Sequence, residues 1–109
     1  MRIWDIKPEL LCRQHLLGEH RELHALWTIL TTDKGGYRNH PETKRWVGRL
    51  KALYNRHEAL VGEMTKRAYK HGTPLDASKA TDLEQQDQFV HTIEEQMEIL
   101  RRKGCECKV

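Results

Sequence analysis

The chain has 109 residues, 38% hydrophobic and 32% charged, with a formal net charge of +3; that length and mix fit one domain and exclude most multidomain enzymes. No apolar run approaches the roughly 20 residues of a membrane helix, and the opening MRIWDIKPEL lacks the continuous apolar stretch of a secretory signal, so a cytoplasmic chain without membrane contact is expected. Three cysteines, Cys12, Cys105 and Cys107, are an odd number and make no disulfide framework.

Along the chain, Leu10, Leu11, Leu16, Leu17, Leu23, Leu26, Trp27 and Leu30 recur at helical spacing, with Pro8 suited to a first turn. A first helix over about Pro8 to Thr31 is expected. The Gly35-Gly36 pair then reads as a loop, and Asn39 or His40 can cap a second helix with Pro41 in its first turn. That helix is expected to reach about Lys70 on the stripe Val47, Leu50, Leu53, Leu60, Val61, Met64 and Ala68, and to stop at Gly72. After the breakers Gly72 and Pro74, a third helix capped by Ser78 or Thr81 runs to about Lys103, with Phe89, Ile93, Met97 and Leu100 on one face. No β-alternation or internal repeat occurs, so residues 1–109 read as one all-α domain of three main helices. Trp4, Trp27 and Trp46 fit core packing, although an exposed one could stack on a base.

Charge is unevenly distributed. Residues 1–37 are neutral, and residues 38–71 carry nine bases against three acids, net +6. Residues 72–100 carry one base against seven acids, and the tail from Arg101 is net +3. This fits either a polyanion-facing side or oppositely charged helices that attract each other.

The densest cluster of reactive side chains runs from Arg13 to His24. At 100° per residue, His15, Glu19, Glu22 and Leu26 share a face, and Gln14, Gly18 and Arg21 form the adjoining stripe. Without further context the cluster reads as a solvent face laced with weak Glu-Arg and Glu-His pairs. His20 and His24 have the i, i+4 spacing of the zinc motif H-E-x-x-H, but the glutamate, Glu22, comes one position late and points about 100° away. Cys105-x-Cys107 is not the C-x-x-C spacing of a zinc ribbon and has no second cysteine pair. No metal site and no cofactor are therefore expected.

Met1-Arg2-Ile3, followed by Gln14-His15-Leu16 and Glu19-x-Arg21-Glu22-Leu23, resembles the phage endonuclease V family of pyrimidine-dimer DNA glycosylases with abasic-site lyase activity. Leu50 through Glu58 and Lys66 through Tyr69 are similar to that family's second long basic helix, so the resemblance covers roughly residues 1–76. It implies an all-α fold and a nucleophile that is the chain's own α-amino group, here that of Met1. An α-amine of pKa about 7.8 is some hundreds of times more often neutral at pH 7 than a lysine of pKa about 10.4. Bulky Arg2 should prevent removal of Met1.

By the same resemblance Glu22 is the catalytic carboxylate that stabilises positive charge at the sugar and assists proton transfer. His15 and Arg21 would hold phosphates, and Arg2 and Gln14 would contact DNA around the lesion. Two departures matter: Ala25 stands where the phage enzyme has a further arginine, and that enzyme's aromatic, basic C-terminal segment is missing.

The expected protein is thus a monomeric DNA-repair glycosylase and β-elimination lyase acting on damaged pyrimidines such as dimers, or on abasic sites, in double-stranded DNA. It would be nucleoid-associated when bound, with Arg45, Arg49 and Arg56 of the second helix on phosphates. The alternatives are a non-catalytic DNA-binding protein on the same scaffold and a metal-binding helical protein using His20 and His24.

Overall fold

The computed structural model describes residues 2–32, 38–70 and 73–109. Among them the chain forms α1 (Arg13–Thr32), α2 (Pro41–Lys44), α3 (Leu50–Lys66) and α4 (Ile93–Arg102), with 3-10 turns at Pro8–Leu10 and Ala77–Lys79 and no strand. The protein is all-α. Leu16, Leu23, Leu26 and Trp27 fall on one face of α1, as intervals of three, four and seven residues require, and are buried there. Leu53, Leu60 and Met64 repeat the pattern on α3, and α1 packs on α3. Trp4, Trp27 and Trp46 are all buried in this core, as the packing reading of the sequence expects.

The expected first helix is two elements. Pro8–Leu10 is a separate turn followed by extended Leu11, and α1 begins only after Cys12, whose carbonyl accepts from Leu16 N–H at 2.9 Å. The guanidinium of Arg67 binds the carbonyls of Pro8 at 3.3 Å and Leu11 at 2.7 Å, oxygens that a continuous helix would have used itself. The expected second helix is also broken. Gly48 adopts φ +75°, a left-handed conformation open to glycine at little cost, and this separates short α2 from α3. His40 caps α2 by accepting Glu42 N–H at Nδ1. At its other end α3 stops at Lys66, because Ala68 takes φ 62° and Tyr69 N–H closes back on the Met64 carbonyl at 2.8 Å. The Gly35-Gly36 loop and Gly72, read as a stop, lie outside the described residues.

The expected third helix shrinks to α4, which starts on a capping box between Thr92 and Glu95. Residues 80–92 instead form an irregular strap. Its carbonyls at Thr81 and Leu83 accept from Lys51 and Ala52 N–H at 2.7 and 3.1 Å, satisfying donors that the first turn of α3 leaves open. Along the anticipated apolar face, Leu100 is buried and Met97 half-buried, whereas Phe89 and Ile93 are exposed.

The N-terminal segment is extended and buries Ile3, Trp4 and Ile6, yet it has no neighbouring strand to satisfy its backbone. Side chains do so instead, one per residue. Arg2 N–H donates to Glu22 Oε2 (2.6 Å), Ile3 N–H to Glu42 Oε1 (2.8 Å), Trp4 N–H to Glu19 Oε1 (3.1 Å) and Asp5 N–H to Gln96 Oε1 (2.7 Å). Two of these buried carboxylates have arginine partners. Glu19 receives Arg56 at 2.6 and 3.0 Å, and Glu42 receives Arg45 at 2.8 Å on each oxygen.

Candidate active site

The segment 2–5 and the first turns of α1 enclose a cavity of about 420 Å³ lined by Arg2, Trp4, Gln14, His15, Gly18, Glu19, Glu22, His40 and Lys103. Four candidates read from the sequence, Arg2, Gln14, His15 and Glu22, meet on its wall. The face His15–Glu19–Glu22 and the stripe Gln14–Gly18 both contribute, as the helical geometry requires, while Leu26 turns into the core. Arg21 is exposed beside this wall, its guanidinium 4.0 Å from where a side chain at Gly18 would begin. Met1 lies outside the described residues.

Glu22 is half-buried and receives Arg2 N–H. The Arg2 guanidinium lies 4.9 Å from the Trp4 ring centre and within 3.1 Å of His91 Nδ1. The His15 ring meets Trp4 edge to face at 5.8 Å. Burial, reinforced by the Lys103 charge, holds the His15 pKa below its ordinary value and favours the neutral imidazole. For Glu19 burial raises the carboxyl pKa against the opposing pull of Arg56 and the Trp4 N–H. Two carboxylates, Glu19 and Glu22, share the cavity lining with the side chains of Arg2, Gln14, His15, His40 and Lys103, so the site offers both anionic and cationic or donor groups to a ligand.

The three arginines expected on phosphates each have an acidic partner within the protein. Arg45 is only 5% exposed, and its guanidinium binds Glu42, both oxygens of Asp5, and the carbonyls of Ile3 and Gln88. Burial works against its charge, but Glu42 and Asp5 outweigh it and raise its pKa. Arg56 is committed to Glu19, and Arg49 reaches Asp87 at 3.0 Å in the acidic strap. The basic character read from residues 38–71 is in these cases internal neutralisation. Sequence reasoning missed His40 and Lys103 as cavity residues; Lys103 arrives only because α4 ends beside α1, which no local pattern announces.

Two further clusters bring together groups able to hold a metal ion. His24 Nε2 lies 3.2 Å from both His20 Nε2 and His57 Nε2, with Thr73 Oγ1 at 3.4 Å. The i, i+4 pair thus has a third imidazole from α3, whereas Glu22 lines the cavity described above. At the start of α1, Cys12 and His15 meet Cys105 and Cys107 of the tail, their ligand atoms all within 4.8 Å of one another. Judged alone, Cys105-x-Cys107 had no partner pair. The available signal was the mixed Cys12-x-x-His15 pair, one helical turn apart. Burial and the neighbouring thiols push the Cys107 pKa up to about 12. For Cys12 burial is outweighed by the N–H groups of His15 and Gln14, with the neighbouring Cys107 and Cys105 adding to them, and the thiol pKa falls.

A family model described as pyrimidine dimer DNA glycosylase matches residues 1–77, which span the N-terminal segment, α1, α2 and α3. No curated protein and no solved structure matches the chain.

Proposed function

This chain belongs to the pyrimidine dimer DNA glycosylase family, and from that premise we propose that it excises a damaged pyrimidine through the α-amino group of Met1 and then nicks the abasic strand. It is a DNA-repair enzyme whose partner is DNA. The observation that carries the finer reading is the 2.6 Å bond from Arg2 N–H to Glu22 Oε2 at the cavity wall. Met1 is joined to that same nitrogen, so covalent geometry alone keeps its amine within about 3.7 Å of it. In the proposed reading the amine and the carboxylate share the Arg2 nitrogen, the amine through covalent bonds and Glu22 through a hydrogen bond.

In the proposed sequence the damaged nucleotide leaves the base stack and enters the cavity. The neutral amine attacks C1′, and the glycosidic bond breaks with its electron pair leaving on the base, which takes up a proton. Glu22 stabilises the positive charge that develops at the sugar and relays protons. Opening of the sugar ring yields an imine between Met1 and C1′. Loss of a C2′ proton then expels the 3′ phosphate, and water releases the amine. Arg2, Gln14, His15 and Arg21 hold the flanking phosphates and backbone, and the protein acts as a monomer on double-stranded DNA.

Borohydride reduction during incubation with an abasic-site duplex tests this directly. A trapped adduct mapping to Met1, lost on N-terminal acetylation or fusion, is the expected result. An adduct on a lysine such as Lys7 or Lys44 would overturn the nucleophile assignment, and DNA binding without trapping would leave a non-catalytic binder.

A further inference from the structure

Four potential ligand atoms converge where the tail returns to α1; Cys105 Sγ donates to the Leu100 carbonyl at 3.4 Å, but hydrogen bonds do not serve the other three evenly. His15 Nδ1 faces two sulfurs at once, Cys12 Sγ at 3.1 Å and Cys107 Sγ at 3.4 Å. One ring nitrogen has a single lone pair or a single proton, so it cannot serve both fully. A disulfide would use two thiols and strand the third beside the imidazole; all three cysteines are free. A cation at the centre satisfies all four groups together.

We infer that Cys12, His15, Cys105 and Cys107 form a structural zinc site that fastens the C-terminal tail to the start of α1. Tetrahedral zinc with Zn–S near 2.3 Å and Zn–N near 2.0–2.1 Å sets ligand atoms roughly 3.5–3.8 Å apart. All pairs here lie within 4.8 Å, so sub-ångström shifts of side chains suffice. The backbone is already shaped for it. Cys12 and His15 are one helical turn apart, and Gly104 at φ +65° reverses the chain after α4 so that Cys105 and Cys107 turn back to α1. Cys12 N–H donates to Cys107 Sγ at 3.1 Å, the kind of outer contact that supports a thiolate ligand. Three thiolates and one imidazole select zinc among the common divalent ions, and four protein ligands close the site against substrate water. The complex carries net negative charge, which the N-terminal end of α1 favours. With Nδ1 on the metal, the His15 proton must sit on Nε2, which makes the ring a fixed donor.

The full chain, purified reduced and loaded with Co²⁺, should bind one thiolate-coordinated ion per chain and show sulfur-to-cobalt charge transfer in the near ultraviolet. Cys12→Ser, Cys105→Ser and Cys107→Ser should each weaken or abolish that band, whereas His24→Ala should leave it, since an imidazole-only site gives no such transition. Should a cysteine variant fail to fold, thiol accessibility in the wild type decides: Zn²⁺ should protect the three thiols from a thiol reagent, and a chelator should expose them. Absence of charge transfer, equal thiol reactivity with and without Zn²⁺, or metal lost in His24→Ala but kept in Cys105→Ser would each overturn the site. None of these readouts depends on DNA cleavage, so the zinc site stands or falls separately from the proposed chemistry.

Discussion

Replacing Arg45 with alanine separates two incompatible roles for one residue. A phosphate-binding surface arginine would leave folding stability within about 0.5 kcal/mol and weaken DNA affinity. The structure gives the opposite expectation. The guanidinium sits at 5% exposure between Glu42 and Asp5 and also donates to the Ile3 carbonyl of the N-terminal segment. Its loss leaves two carboxylates with little solvent and no cation, and removing one partner of a buried ion pair costs roughly 3–5 kcal/mol. Against a total stability of about 5–15 kcal/mol for such a domain, that is a large fraction. Urea unfolding followed by far-ultraviolet circular dichroism should show a midpoint lowered accordingly, with little change in slope. Arg45→Lys should recover only part, because an ammonium cannot reproduce the forked contacts to Glu42 and Asp5. An unchanged midpoint together with reduced DNA affinity would refute the internal role.

Glu22→Gln keeps shape but not charge or basicity, so turnover on a damaged duplex should fall on the order of 10²–10⁴-fold while binding persists, as single-turnover kinetics and gel-shift titration would read. Gly48→Ala, at φ +75° with open space around it, should destabilise by about 1 kcal/mol, whereas Ala68→Gly, at φ 62°, should stabilise by a similar amount; thermal melts of the pair test both. Thr92→Ala removes the α4 cap and should cost about 1 kcal/mol in urea unfolding. Hydrogen bonds from the Thr92 backbone and hydroxyl hold the Glu95 pKa below its ordinary value. Its contribution to stability is therefore present above the unfolded pKa and lost as pH falls through the folded one; the stability difference between wild type and Glu95→Gln should vanish in acid.

The sequence made α1 legible because its apolar stripe and its polar face are both local patterns, and the same periodicity brought His15, Glu19 and Glu22 to one wall. Gly48 lay inside an unbroken hydrophobic stripe, and nothing in spacing alone said that its φ would be positive. Residues 80–92 had composition compatible with helix, but their carbonyls are used by α3, a demand set by tertiary contact. The role of Arg45 was hidden for the same reason: its partner Asp5 is 40 positions away. The four-group cluster at the tail required residues separated by more than ninety positions, so no spacing rule joined them.

The N-terminal segment has one further consequence, for how the molecule is made. Its four successive N–H groups wait for acceptors from α1, α2 and finally Gln96, which lies 91 residues downstream of Asp5. Lys108 N–H closes onto the Leu10 carbonyl at 2.7 Å later still. A ribosome delivers Glu19, Glu22 and Glu42 soon after the segment they hold, whereas Gln96 follows much later, so Asp5 N–H gains its acceptor only once α4 has been made. The buried carboxylates Glu19 and Glu42 stay hydrated until the segment docks on them.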